Sequence, residues 1–170
     1  MSNTIGFNNM TNVSDSINMS NGTTNVFINV LALSGSYLAK TDSEKRMIVW
    51  LSEKDQTMGL GNVGFDVVEM PWSRQSFESD KKFMLEVIKQ AKSRLSWEVL
   101  DYTPNEAIIF PLLDKFNEYI KQMSESDIDE TETMEWIKAA QNDDPINCNF
   151  PKCTKHKTLL TFLGCQICNS

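Results

Sequence analysis

Residues 76–95 read SFESDKKFMLEVIKQAKSRL. Met84, Val87, Ile88, Ala91 and Leu95 recur at intervals of three and four, the spacing of a helix that buries one face. Ser76 stands where an N-cap belongs, and Glu78 and Asp80 put negative charge at the positive end of the helix dipole. This stretch sets the class as mainly α (α+β): a helical body with one or two short strands and a small C-terminal tail.

Upstream, Thr41 with Glu44 three residues later predicts a capping box, followed by Met47, Ile48 and Leu51 on one helical face. Asp55 to Gly61 reads as the exit loop of that helix. Between Thr24 and Lys40, Phe27, Val30, Leu31 and Leu38 fit a helix interrupted at Ser34-Gly35-Ser36. Val63, Phe65, Val67 and Val68, ending at Pro71, have strand character. Downstream, Thr103, Pro104 and Glu106 suggest an N-cap, N1 and N3 set for a helix carrying Ile109, Leu113 and Phe116, which Pro111 should kink or restart. Ser124 to Glu135 holds six acids and no base, a solvated linker that turns helical near Met134, Trp136 and Ile137. Three regions result: an Asn-rich arm without sustained period (1–22), expected to be loose and to order only against the body or a partner; a helical body (23–141); and a tail (142–170). Trp72, Trp97 and Trp136, with Met70 and Phe77, read as core.

The chain has 170 residues, 41% hydrophobic and 23% charged, with a net charge of −7. That length supports a core without disulfides, and that charge argues against a surface that attracts nucleic acid or anionic lipid throughout. The first basic residue is Lys40, and no apolar run approaches a membrane span, so a cytoplasmic protein without a membrane partner is expected. Asn-x-Ser/Thr triplets at Asn9, Asn12, Asn18 and Asn21 then carry no glycan.

All four cysteines and the single histidine fall in the last 23 residues: Cys148, Cys153, His156, Cys165 and Cys168. Reduced thiols clustered this way point to metal ligation. Cys153-x2-His156 and Cys165-x2-Cys168 are two ligand pairs on tight turns, separated by Thr158 to Leu163, which looks like a strand, with Gly164 easing the second turn. Two such pairs give a structural Zn²⁺ its closed tetrahedral set. An alternative set replaces His156 with Cys148; two-residue spacers close metal turns more readily than four-residue ones, which favours His156. The pattern resembles a zinc ribbon or zinc knuckle over residues 148–170.

Enzymatic signatures are weak. With His156 given to metal, a nucleophile has no imidazole base. Gly59-x-Gly61-x-x-Gly64 precedes its strand instead of following one, so it reads as a loop. Asp66 with Glu69, on the wet face of a strand, and Glu78 with Asp80, at a helix start, are commonplace placements for acids. No acid follows Asp144 to serve as base beside a catalytic metal. Lys152, Lys155 and Lys157 around the ligands are candidates for phosphate contacts, or they offset thiolate charge.

The body, with Gly64-Phe65-Asp66-Val67-Val68-Glu69-Met70-Pro71-Trp72 and the helices after it, resembles small acidic bacterial proteins, some of which are immunity proteins against co-encoded toxins. That resemblance implies binding of a cationic protein through an acidic face. The expectation is a non-enzymatic interaction protein with a structural zinc site and a protein partner; the alternative is a nucleic-acid-associated regulator using the lysine-bearing ribbon.

Overall fold

A computed structural model describes residues 3–7, 15–56 and 64–170. The Gly59 and Gly61 reading, the loop around it, and the triplets at Asn9 and Asn12 lie outside the described residues. Five α-helices are present among the described residues: α1 (Asn21–Leu38), α2 (Asp42–Gln56), α3 (Phe77–Lys92), α4 (Glu106–Gln122) and α5 (Glu130–Ala139). A three-stranded sheet accompanies them, made of β1 (Asn3–Gly6), β2 (Ile17–Met19) and β3 (Gly64–Asp66) in the order β2-β1-β3. The mainly α, α+β expectation holds.

The molecule is built around α1, which packs against α2, α3 and α4. Phe27 to Ser36 are buried without a break, as befits a helix covered on all sides. Ser34-Gly35-Ser36 does not interrupt α1. These small residues let three neighbours approach: a Cβ on Gly35 would lie 2.1 Å from Ile48 Cδ1 of α2. Ser34 Oγ donates to Val87 O of α3 at 3.0 Å, and Ser36 Oγ accepts from Leu159 N at 2.9 Å. The small residues mark a helix crossing, not a break.

The capping box of α2 forms as expected, with Thr41 N donating to Glu44 Oε2 and Glu44 N to Thr41 Oγ1. The cap of α4 is Asn105, not Thr103; its side chain accepts from Ala107 N at 3.1 Å. The helix runs on through Pro111, which sits near the N-terminus of α4 and frees only one early carbonyl. α5 begins at Glu130 behind the Asp129 cap, earlier than the acidic run suggests.

The described parts of the 1–22 arm are ordered against the body. β1 runs antiparallel to β2 (Ile5 opposite Ile17) and parallel to β3 (Ile5 opposite Phe65), burying Ile5, Ile17 and Met19. Gly64, at φ +147°, lies so near β1 that a Cβ would come within 1.9 Å of Thr4 O, so only glycine fits. The strand read over Val63–Met70 shortens to β3, followed by a 3-10 turn over Val67–Glu69.

The C-terminal segment shares the body's core: Phe150, Leu159, Cys165 and Ile167 are buried in the same cluster as α1. Thr158 to Leu163 is not a regular strand. It makes isolated bridges (Lys152 with Leu159, Thr161 with Gly164): Leu160 N to Pro151 O and Cys153 N to Thr158 O form the first, while the amide of Leu159 goes to Ser36 of α1. Among the described residues, no helix is long and apolar enough to cross a membrane.

Candidate metal centre

Two tight turns carry the donors. In the first, Cys153 N donates to Thr158 O, Lys157 N donates to Cys153 O, and Lys157 takes the left-handed region at φ 60° to close the turn. His156 N also donates to Cys153 Sγ at 3.4 Å. The second turn repeats that contact, Cys168 N donating to Cys165 Sγ at 3.5 Å, and Gly164 enters it at φ +98°. Backbone N–H groups aimed at sulfur stabilise its thiolate form.

The ligand atoms of Cys153, His156, Cys165 and Cys168 all lie within 4.8 Å of one another. His156 Nδ1 is 3.3 Å from Cys168 Sγ, 3.6 Å from Cys165 Sγ and 3.8 Å from Cys153 Sγ; Cys153 Sγ and Cys168 Sγ are 3.8 Å apart. A tetrahedron with metal–sulfur bonds of about 2.3 Å and a metal–nitrogen bond of about 2.0 Å has edges of about 3.5–3.8 Å. The donor set therefore fits a metal ion. Cys148 stands apart, exposed, with its thiol toward Asn142 O at 3.4 Å. All four cysteines are free thiols.

The electrostatics agree with the geometry. Burial pushes the Cys153 thiol up, but hydrogen bonds from the His156 and Lys155 amides and from neighbouring thiols outweigh it and hold the group below its ordinary value. Hydrogen bonding with Cys165, then burial and Cys153, push the Cys168 thiol up to about 11. Three thiolates this close repel one another, and a dication resolves the conflict. Burial, then the charge of Lys155, holds His156 below its usual value and so in the neutral form that ligates a metal.

Polar side chains fasten this centre to the body. Gln166, 1% exposed between the two cysteines, donates from Nε2 to Asn29 Oδ1 of α1 at 3.1 Å and to Asp55 Oδ2 of α2. Asn25 donates to Asp55 Oδ2 at 2.9 Å, and Asn29 donates to the Tyr102 hydroxyl at 2.9 Å. Burial raises the Asp55 carboxyl, with Gln166 and Asn25 opposing. The sequence signal for this network was Asn29, the one polar residue interrupting the apolar run from Val26 to Leu33. Gln166 had none, since its role depends on where the turn docks.

The candidate phosphate contacts Lys152, Lys155 and Lys157 are all exposed, and the Lys152 ammonium donates to Ser36 O at 2.8 Å. That carbonyl lies in the last turn of α1, where a cation also meets the negative end of the helix dipole. Asp66 and Glu69 are spent on the 3-10 turn, where Asp66 accepts from Val68 N and Glu69 accepts from Asp66 N. Asp80 is buried and accepts from Ser43 and Ser76, tying α2 to α3.

In comparisons with known proteins, no family model, no curated protein and no solved structure matches this chain.

Proposed function

We propose that this chain is a non-enzymatic interaction protein whose C-terminal segment is held by a structural zinc ion and whose acidic surface binds a cationic protein partner. The observation that carries the zinc reading is the closed donor set: three thiols and one imidazole at tetrahedral separations, each turn supplied with N–H···S bonds. Four protein ligands leave no coordination position for water or substrate, which is the pattern of structural zinc. Three thiolates and an imidazole select zinc over hard cations such as Mg²⁺ or Ca²⁺. A zinc ion there supplies a crosslink between the two turns. Cys153, His156, Cys165 and Cys168 would hold it, and Gln166 would carry the resulting rigidity to α1 and α2.

The partner reading rests on charge. The net charge is −7, and Glu125, Asp129, Glu132 and Glu135 are exposed along one continuous segment with Met134 exposed among them. Such a face steers a basic protein into contact, and an exposed Met suits an interface. The immunity-type resemblance supports a toxin as that partner.

Elemental mass spectrometry on protein purified without chelator or immobilised metal tests the first part. One zinc per chain with Cys148 as the single reactive thiol is the expected result; absence of metal with four reactive thiols would refute it. The second part predicts capture of a basic protein that is released as ionic strength rises. A salt-dependent DNA or RNA shift lost in the Lys155→Glu, Lys157→Glu double variant would replace it with the nucleic-acid reading.

A further inference from the structure

Between α5 and the C-terminal segment lies a cleft of about 660 Å³, within the range of about 300–1,000 Å³ that small-molecule sites occupy. Glu53, Asp143 and Asp144 line it together with Trp136 and Phe162, and among the described residues no Lys, Arg or His does. Glu53 is only 8% exposed. Its Oε2 accepts from Trp136 Nε1 at 2.9 Å, and no ion pair with a cation forms among the described residues. Lys54, next along α2, lies over the Trp50 ring. Phe162 is 54% exposed, an unusual position for a large aromatic.

A carboxylate withdrawn from water without a counter-charge is costly to keep, and here it faces open space with two further acids and two aromatic rings. Three carboxylates repel an anion. A hard metal ion gains nothing from indole and phenyl walls. A neutral apolar ligand would leave Glu53 unpaired. The combination that satisfies every wall is positive charge on an apolar stem, since aromatic faces attract cations as well as hydrocarbon.

We propose that this cleft binds an organic cation, an ammonium or guanidinium group on an apolar stem, with Glu53 as counter-ion and Trp136 and Phe162 as flanking rings. The site stands independently of the zinc and partner readings. Its pH behaviour follows from its surroundings. Burial, opposed by the Trp136 hydrogen bond and reinforced by Asp144 across the cleft, with Lys54 lowering it slightly, pushes the Glu53 carboxyl up to about 7. A cation captures the ionised form, so affinity rises about tenfold from pH 6 to pH 8.

Calorimetric titration with phenethylammonium and with its neutral counterpart 2-phenylethanol, at pH 6 and pH 8, tests this. At pH 8 the amine is expected to bind one per chain, about tenfold more tightly than the alcohol. Glu53→Gln keeps an acceptor for Trp136 and should abolish that preference and its pH dependence. Phe162→Ala, at an exposed position that leaves the fold alone, should weaken the amine about threefold. Equal binding of amine and alcohol, a preference that survives Glu53→Gln, or no saturable binding of the amine would each overturn the proposal. A blocked arginine amide titrated in parallel identifies the source: competition with phenethylammonium points to a side chain of a partner protein, and its failure to compete points to a free amine.

Discussion

The helical body and the segment 148–170 reach order by opposite means. Around α1, ten consecutive residues from Phe27 to Ser36 are removed from water, and regular hydrogen bonding settles the backbone. The C-terminal segment has only turns, one 3-10 turn at Pro145–Asn147 reaching its edge, and isolated bridges. Its backbone instead gathers four side chains that could hold a metal ion and makes polar ties to α1 and α2. One region is specified mainly by volume, and the other adds a few directional bonds to the apolar residues it lends to the same core, so the two should respond to different insults.

The largest effect separates them. Under the proposed zinc reading, Cys165→Ser removes one ligand of a centre whose metal would be worth on the order of 10 kcal/mol of local order. Metal should be lost and amide exchange protection should vanish across residues 150–170, while far-UV circular dichroism stays near wild type because the packing of α1 on α2, α3 and α4 does not run through that segment. Loss of the helical signal together with the metal would show that the two regions fold as one. The reciprocal change is Phe27→Ala. Phe27 is fully buried, edge-on to Phe116 with ring centroids 5.6 Å apart, and its truncation should cost about 3–5 kcal/mol in denaturant unfolding.

How far each region was legible follows from the same contrast. Helical periodicity exposed α2, α3 and α4 because one face of each alternates with solvent. The clustering of Cys153, His156, Cys165 and Cys168 was legible because thiol and imidazole chemistry at two-residue spacing has few uses other than metal ligation. α1 was harder, since a helix covered on every side shows no amphipathic stripe, and its small Ser34-Gly35-Ser36 patch resembles a break until the neighbours are known. β1 and β2 were too short to show a period: Ile5 with Phe7, and Ile17 with Met19, offer two alternating apolar residues each. Their pairing is nonlocal, and β3 joins them from more than forty residues away. Glu53 gave no functional signal because an acid in an amphipathic helix is ordinarily assumed to face water.

Glu53 sharpens the comparison at the seam between the two regions. Its carboxyl is raised from 4.5 to about 7, so its favourable contribution is complete below pH 4.5 and is lost as pH rises through 7. At pH 8 Glu53→Gln should be more stable than wild type by about 2–3 kcal/mol, and near pH 4.5 the two should converge. Denaturant midpoints at the two pH values read this directly. A difference that does not change with pH would mean that Glu53 titrates normally in the folded protein. The smallest expected effect lies within the first ligand turn. Lys157 holds φ 60°, a region that costs a side-chain-bearing residue about 1 kcal/mol, so Lys157→Gly should retain metal against a competing chelator several-fold better.

The enclosure of α1 also has a consequence in time. Asn29 waits for Gln166, a partner 137 residues further along the chain. At a synthesis rate of about 5–20 residues per second, that interval is about 7–27 s. For that period α1, the most apolar of the described helices, stands without the cover that Gln166 and its neighbours supply, and a segment made long after it is the one that closes it.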